Sequence, residues 1–411
     1  MTTRRQLLTV MGGAALLAAC RDTGGATGRA EAPVTTDALV FARTQAGLVT
    51  VRGDRRLSHG PTAVGSGDGT RVFAAAPGDA GTTALLTTDL RAGAEVGRAS
   101  LAGTWVPRVV DPTGRLVALT PSGPAASATG APTGRTSTQI LIASPAGEQH
   151  RLDLPGNVEP DAISADSGAL FVLEWLPADA PDRYRVRMVD VGSGVVQPVL
   201  TRDKVPVPAG AEEEMRGQGR QAVLSGNREV LYTLYTHQAD HQHTRDLIAG
   251  RPGGVHAFVH VLHLTQCWAY CLDLPDPFGH GPAAGHALAV SPDGRRLLVA
   301  DITGGRLAEA DTESLTITGV TGIPTGTGTA SLAAGPDRAF VGIDDRVHAV
   351  DRGRANVVWT ATGEVRGLGV DRAASRLAVA DPGGVSWVDI HTGTAAGRVP
   401  VDGLTALVSV S

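Results

Sequence analysis

Several absences narrow the functions open to this 411-residue chain. Lysine occurs only at Lys204, and the 36 basic residues are outnumbered by 41 acidic ones. The sequence lacks the clustered basic face that a nucleic-acid surface requires, so no nucleic-acid partner is expected. Beyond residue 19, no apolar run approaches the roughly 20 residues of a membrane-spanning helix. Aromatic residues make up only 4% of the chain, which disfavours a platform for stacking sugars.

The common catalytic motifs are also missing. The chain contains no G-x-S-x-G nucleophile turn, no phosphate-binding P-loop and no H-E-x-x-H metalloprotease helix. The glycine-rich stretch GIPTGTG at 322–328 lacks the strand-to-helix context of a phosphate site, so it is interpreted as a loop. No catalytic residue is therefore predicted, and the sequence favours a non-enzymatic function.

The N-terminus has the pattern of an export signal. Arg4 and Arg5 form a basic start, and Leu7 to Ala19 is an apolar run of 13 residues, too short to cross a bilayer core. TRRQLL resembles a twin-arginine signal, and LAAC at 17–20 resembles a bacterial lipobox. The resemblance implies cleavage after residue 19 and lipid attachment to Cys20. The alternatives are an ordinary cleaved signal with an incidental cysteine, and export by the general secretion route.

The residues that follow the predicted signal connect it to the folded part. The predicted tether spans residues 20–37. After Cys20 its residues are small, polar and rich in Gly, Ala and Thr, which is typical of a flexible segment. Removing residues 1–19 leaves 34 basic and 41 acidic residues, a net charge of −7. We therefore expect a protein held by acyl chains, such as palmitate, on the extracytoplasmic face of the cell membrane.

One pattern recurs through the rest of the chain: an apolar strand, a turn of the S-P-D-G type, and a second apolar strand. Its clearest copy is ALAVSPDGRRLLVAD at 287–301. Several copies are followed by a third strand that ends in aspartate, where an Asx-turn can close a tight hairpin. The other copies lie at 63–76, 109–119, 162–174, 222–235, 331–343 and 368–381, and the aspartates are Asp89, Asp190, Asp351 and Asp389.

This repeat resembles the YVTN and WD40-like propeller families, most clearly at 291–314, SPDGRRLLVADITGGRLAEADTES. The resemblance covers residues 38–411 and implies an all-β fold, a single β-propeller built from four-stranded blades. Some members of these families resemble lactonases, but none of the catalytic residues of that family can be placed in this sequence. The alternative fold is a pair of β-sandwiches.

The two ends of the chain predict how the ring closes. Residues 38–59 supply three strands with no first strand before them, and 404–411 is a lone strand at the C-terminus. Pairing the two ends would complete a composite blade and leave no open sheet edge. With the seven internal repeats this gives eight blades. The preference over seven is narrow, because the long unit at 220–285 is the weakest copy and seven blades result if it is not one.

The only dense concentration of metal-ligand residues lies at 236–286, which holds eight of the chain's histidines. Imidazole suits zinc, copper, iron and nickel. If HQH is extended, His241 and His243 share a face about 7 Å apart, and His237 can join them through the loop. The apolar alternation of HAFVHVLHL predicts a strand, so only His260 is expected to add a ligand by cross-strand pairing. The open alternative is that these histidines are simply hydrogen-bonded over the strands.

Two cysteines close the histidine-rich region, at Cys267 and Cys271 in CWAYC. Export to an oxidising compartment favours a disulfide between them. Because four residues of straight strand span about 13 Å, that bridge requires a turn within 267–271. Buried free thiols and metal ligation remain the alternatives.

These observations favour a lipid-anchored extracytoplasmic β-propeller that acts as a binding or scaffold module. Its predicted partner is a protein, a peptide or a small-molecule ligand at the propeller mouth, with the insertion 236–256 as the contact surface. No cofactor is the first expectation. The alternatives are a metal-binding or metal-delivery lipoprotein that holds zinc or copper within 236–263, and an enzyme of the lactonase or quinoprotein type.

Overall fold

The fold was determined as a computed structural model, which describes residues 38–123, 130–216, 220–371, 373 and 375–410. The predicted signal with Arg4 and Arg5, the predicted lipid site Cys20 and the tether lie outside the described residues. Among those described, no helix is both long enough and apolar enough to cross a membrane.

The first half of the described chain forms four sheets. Blade 1 combines the C-terminal strand with the first three, and its strand order is β3-β2-β1-β33. Blades 2, 3 and 4 follow as consecutive four-stranded meanders. The strands are β1 Leu39–Thr44, β2 Gly47–Arg52, β3 Arg55–Gly60, β33 Leu404–Val410, β4 Val64–Gly65, β5 Arg71–Pro77, β6 Thr82–Asp89, β7 Ala94–Ala102, β8 Trp105–Val110, β9 Val117–Pro121, β10 Ser137–Ser144, β11 Gly147–Pro155, β12 Asn157–Ile163, β13 Ala169–Leu176, β14 Arg183–Asp190 and β15 Val196–Pro198.

The second half forms blades 5 to 8. Blade 5 differs from the others because a short strand, β16, pairs in parallel with its outermost strand and makes the sheet five-stranded. A single short helix, α1, lies in its long loop, and short 3₁₀ turns occur at Asp79–Gly81 and Ala283–Gly285. The elements are β16 Leu200–Thr201, β17 Gln221–Leu224, β18 Val230–Tyr235, α1 Thr244–Ala249, β19 Phe258–His263, β20 Trp268–Asp273, β21 His286–Val290, β22 Arg296–Asp301, β23 Arg306–Asp311, β24 Thr316–Gly322, β25 Ser331–Ala334, β26 Ala339–Ile343, β27 Arg346–Asp351, β28 Arg354–Thr360, β29 Gly367–Val370, β30 Arg376–Asp381, β31 Gly384–Asp389 and β32 Ala395–Pro400.

The hydrophobic core lies between the blades, and strand periodicity explains it. Successive side chains of a strand point to opposite faces of its sheet. In β22, Leu297 and Val299 pack into the core shared with blade 5, whereas Leu298 and Ala300 pack into the core shared with blade 7. Both faces of the strand are buried, which is why the repeat sequence is continuously apolar there instead of alternating.

The predicted turns have a common hydrogen-bond pattern. In the turn between β21 and β22, the Ser291 hydroxyl donates to Asp293 Oδ1 (2.5 Å) and accepts from the Arg296 N–H (2.9 Å). Gly294 takes φ +74°, a left-handed conformation that favours glycine. The serines of three other repeats, Ser66, Ser164 and Ser225, make the same two bonds. The predicted Asx-turns also form where Asp89, Asp190 and Asp389 accept backbone N–H groups.

The predicted closure is confirmed, and with it the count of eight blades. β33 pairs antiparallel with β1, with Val40 opposite Val410 and Arg43 opposite Ala406. It therefore takes the innermost position that the N-terminal three strands leave vacant. The long unit at 220–285 is a genuine blade, although a loop and an extra strand enlarge it.

Ring closure predicts very different responses from two residues of the same strand. Leu404 of β33 is fully buried, whereas Val408 is 54% exposed. Leu404→Ala should lower the free energy of unfolding by about 2–5 kcal/mol through lost burial and a new cavity, and Val408→Ala by less than about 0.5 kcal/mol. Urea unfolding followed by tryptophan fluorescence measures both. Equal effects would contradict the role of β33 as the closing strand.

A second prediction concerns the buried carboxylate of Asp381 at the end of β30, which accepts hydrogen bonds from Arg398, the Gly383 N–H (2.9 Å) and the Thr362 hydroxyl (2.9 Å). Burial opposes its ionisation, but these donors prevail and lower the pKa of Asp381 to about 2. A depressed folded-state pKa stabilises the protein above the unfolded pKa of about 3.9, and this contribution is lost as the pH falls towards 2. Asp381→Asn should therefore cost about 1–2 kcal/mol at pH 7 and progressively less between pH 4 and pH 2.

Unfolding midpoints at pH 7, 4 and 3 test this expectation. The matched control is Asp402→Asn, because the side chain of Asp402 is 95% exposed and its contact with Arg56 is long, at 3.6 Å. A penalty for Asp381→Asn that stays constant over this range would mean that the ion pair is not the source of the stabilisation.

Candidate metal centre

The histidine-rich insertion begins directly after β18 and turns back sharply. His237 and Asp240 both have left-handed backbones, at φ +59° and +60°, so the segment 236–243 is not a continuous strand. His241 then forms an isolated antiparallel bridge with Val255, and His243 is the residue before helix α1. These turns bring the rings of His241 and His243 together, with centroids 4.7 Å apart and both side chains buried.

Two further ligand residues come from the strands that follow. His260 of β19 and Cys271 of β20 are directly opposite each other in the antiparallel register. Residues opposite each other in such a pair lie on the same face of the sheet. Both side chains are buried and face the insertion. The strand predicted in HAFVHVLHL forms over Phe258–His263, and His260 pairs with Thr233 of β18 on one side and Cys271 of β20 on the other.

The fifth residue, Glu213, comes from the extended segment between β16 and β17. Side chains in extended backbone alternate. Glu212 and Glu214 accordingly pair with arginines of β14, namely Arg187 and Arg183, while Glu213 points the opposite way. Met215 anchors the segment by exchanging backbone hydrogen bonds with Tyr184 (2.7 and 2.8 Å). The carboxylate of Glu213 is thereby held among the histidines, with 12% of its side chain exposed.

Glu213 is the centre of the cluster. Its Oε2 lies 3.0 Å from His243 Nδ1 and 3.5 Å from His241 Nε2. Its Oε1 accepts a hydrogen bond from the Cys271 thiol at 3.1 Å and lies 3.9 Å from His260 Nε2. Within each of the two triads, Glu213–His241–His243 and Glu213–His260–Cys271, the potential ligand atoms lie within 4.8 Å of one another.

Burial and hydrogen bonding shift the pKa values of the cluster in different directions. Burial alone would raise the pKa of Glu213, but the contacts with His241 and His243 and the field of His260 hold it well below its ordinary value. Burial likewise works against charge on His243, but its bonds to Asp273 and Glu213 raise its pKa. Burial lowers the pKa of His260, and burial together with Glu213 raises the pKa of Cys271. These shifts favour the ionised carboxylate of Glu213, the charged form of His243 and the protonated thiol of Cys271.

The surroundings of the cluster position its ligands. His243 Nε2 donates to Asp273 Oδ1 at 2.6 Å, which leaves Nδ1 directed at Glu213. A carboxylate on the far nitrogen of a histidine is the usual support for a metal ligand. Arg245 holds that arrangement by donating to Asp273 Oδ2 (2.5 Å) and to the carbonyl oxygen of Cys271 (2.8 Å). Phe258 packs its ring face on His241, with centroids 4.5 Å apart.

The donor set suits a transition metal. Imidazole nitrogen, thiolate sulfur and carboxylate oxygen are the ligands of zinc, and the first two also bind copper. The Nε2 atom of His241 is buried and has no hydrogen-bond partner, although it points at the carboxylate. A bound cation would satisfy this nitrogen. The residues present therefore fit a metal ion on chemistry as well as on distance.

The predicted ligands are brought together only in part. His241 and His243 of the insertion converge with His260 of the following strand, as the sequence analysis expected. His237 does not join them. Its Nδ1 bonds the Thr236 hydroxyl (2.8 Å), and its ring lies 6.0 Å from that of His256, away from the cluster. Sequence reasoning missed Glu213 and Asp273, because no local spacing connects them to the histidines.

The predicted disulfide does not form in the structure, where Cys267 and Cys271 are free thiols. Cys267 occupies the turn before β20, with φ +57°, and its sulfur lies 3.9 Å from the Leu264 carbonyl oxygen. Cys271 is well inside the straight strand that begins at Trp268, and its sulfur contacts Glu213. The turn that a bridge requires therefore ends before the second cysteine, which is free to act as a ligand.

A cavity of about 750 Å³ opens beside the centre, beneath the segment that carries Glu213. Glu213, His243, His260 and Cys271 contribute to its wall. Much of the remaining lining is apolar and includes Val205, Pro206, Val207, Ile248 and Tyr270. The cluster is thus reachable from a pocket, even though its nitrogen and sulfur atoms are buried.

Comparison with known proteins supports the fold and assigns no family. No family model matches the chain, and no curated protein matches it. Among solved structures, apo AztD from Citrobacter koseri aligns over 91% of this chain and 97% of its own, with a TM-score of 0.54 at 14% identity. A second crystal structure of Citrobacter koseri AztD has the same coverage and TM-score at 15% identity. Dihydro-heme d1 dehydrogenase NirN in complex with DHE covers 93% of this chain and 76% of its own, with a TM-score of 0.46 at 14% identity. At these identities, the similarity to AztD shows that the chain is a β-propeller and shows nothing about the chemistry of the centre.

Proposed function

We propose that this protein is a lipid-anchored extracytoplasmic β-propeller that binds a transition-metal cation, zinc or copper, through Glu213, His241, His243, His260 and Cys271. The propeller acts as a rigid frame, and the insertion after β18 and the segment before β17 supply ligands to it. This role is the metal-binding alternative of the sequence analysis, and it ranks above a scaffold without a metal.

The observation that carries the proposal is the convergence of four ligand side chains, from the insertion, β19 and β20, on the carboxylate of Glu213. Beside it, the buried His241 Nε2 lies 3.5 Å from Glu213 Oε2 without a well-formed hydrogen bond. A buried polar atom left in this state costs about 1–3 kcal/mol. Coordination of a cation supplies a partner for this nitrogen.

The alternative of a self-contained salt-bridge network accounts for only part of the cluster. His243, between Glu213 and Asp273, has both ring nitrogens engaged and would be stable without a metal. His260 Nε2 lies 3.9 Å from Glu213, beyond hydrogen-bond distance, and His241 makes no hydrogen bond through Nε2. A cation would draw these nitrogens to normal ligand distances and would displace the protons of His243 Nδ1 and Cys271.

The adjacent cavity favours a second role, the binding of a small molecule or peptide. A volume of about 750 Å³ lies within the usual range of ligand pockets, and its apolar lining beside a few charged groups is typical of them. It is formed at the outer side of blade 5, next to β20, and not at the central mouth of the ring where the sequence analysis expected a partner. Ligand and metal would share the wall formed by Glu213 and Cys271.

Metal content tests the proposal directly. The full chain, exported, purified in detergent, incubated with Zn²⁺ or Cu²⁺ and desalted, should retain at least about one ion per chain by elemental analysis. Glu213→Ala combined with His241→Ala should reduce retention at least about tenfold, because the shared carboxylate and the unpartnered nitrogen are both removed. His237→Ala is the matched control and should retain the wild-type content. Wild-type protein with less than about 0.1 ion per chain would refute the proposal.

The anchoring part of the proposal has its own test. In an exporting bacterial host, Cys20→Ser should move the protein from the membrane fraction to the soluble extracytoplasmic fraction, because the acyl chains hold it at the bilayer. Mass spectrometry of the N-terminal peptide should show a lipid on Cys20, and Cys267→Ser should leave both results unchanged. Replacing Arg4 and Arg5 by lysine separates the twin-arginine route from general secretion. An unmodified N-terminal peptide in the wild type would contradict lipid attachment.

A further inference from the structure

The carboxylate of Glu213 lies between two ligand sets and not at the edge of one. Its Oε2 faces the two histidines of the insertion, His241 and His243, at 3.5 and 3.0 Å. Its Oε1 faces the strand pair, with Cys271 Sγ at 3.1 Å and His260 Nε2 at 3.9 Å. Each oxygen thus has its own pair of ligand atoms, and each set is compact enough for one ion.

We propose that the centre holds two cations, one in each set, with Glu213 as the bridging carboxylate. This inference rests on the proposed metal-binding function and extends it. Carboxylates in two-metal sites place their ions about 3.5–4 Å apart, one on each oxygen or with a shared oxygen. In this centre the two ligand pairs contact different oxygens of the Glu213 carboxylate, which is the contact pattern of a bridging carboxylate.

The two positions have different chemistry. The insertion position offers two imidazoles and a carboxylate, a set that suits a borderline divalent ion such as Zn²⁺. The strand position offers a thiolate, an imidazole and a carboxylate, and the thiolate makes it the softer site, suited to Zn²⁺ and also to Cu⁺. Metals of different softness should therefore distribute unequally between the two positions.

Two divalent ions at this centre require a further anionic ligand, and Arg245 supports both positions. Glu213, the Cys271 thiolate and Asp273 would supply three negative charges, against one positive charge on Arg245. Two divalent ions leave an excess of positive charge, which hydroxide or an anionic ligand from the adjoining cavity can reduce. Arg245 connects the two positions, because it binds both Asp273, the support of His243, and the carbonyl of Cys271.

Stoichiometry in matched single variants tests the inference on the full-length protein in detergent. With Zn²⁺, the wild type and the His237→Ala control should each retain two ions per chain. His241→Ala and Cys271→Ser should each retain one, because each removes a ligand from a different position. Wild-type protein with one ion would overturn the two-ion centre and leave the metal-binding function standing, whereas no retained ion would overturn both.

Cobalt spectroscopy identifies which position remains. A thiolate bound to Co²⁺ produces a near-ultraviolet charge-transfer band, which should persist in His241→Ala and vanish in Cys271→Ser. Loss of the band in both variants would show that the four side chains hold a single ion, and would overturn the proposal. Calorimetric titration of the wild type needs no variant: two equivalents of Zn²⁺ are expected, and saturation at one equivalent would contradict the inference even if a variant fails to fold.

Discussion

The pairing of β33 with β1 is the interaction on which the rest of the molecule depends. Each blade buries both faces against its neighbours, so an open ring would expose one apolar face at each end. The last strand removes that exposure by occupying the inner position of the first blade. Leu404 is buried in the core between blades 8 and 1. The candidate centre lies where blades 4 and 5 pack on each other, within this closed ring.

The centre combines a rigid half with an inserted half. His260 and Cys271 are fixed by strand register, because directly opposite residues of paired strands share a face. His241 is held by a bridge to Val255, and His243 precedes the start of a short helix. Glu213 is held by an extended segment whose side chains point alternately to arginines of β14 and to the cluster. The carboxylate joins these two halves, so the position of one segment determines whether the others can form a site.

The same geometry explains why the cluster is chemically unusual. His243 contacts Glu213 and Asp273 through its two ring nitrogens, and these contacts raise its pKa despite burial. The Cys271 thiol bonds the other oxygen of Glu213, and His241 Nε2 lies nearby without a hydrogen bond. An excess of soft and borderline donors around one carboxylate, next to a cavity, is the physical basis for proposing metal binding at this point of the propeller.

By itself, the sequence determined the fold to a large extent, because strand periodicity and turn chemistry are local. The repeats at 287–301 and elsewhere predicted strands and turns that the structure contains, and the unmatched strands at the two ends predicted the closing blade. The histidine cluster was predictable only in part, since His241, His243 and His260 lie in one short region of the chain. Tertiary structure alone decided the role of Glu213, which enters from a segment about 30 residues earlier, and of Cys271, whose thiol faces Glu213 and not Cys267. Such contacts depend on which strands become neighbours and on which face each residue takes, and no local spacing encodes that.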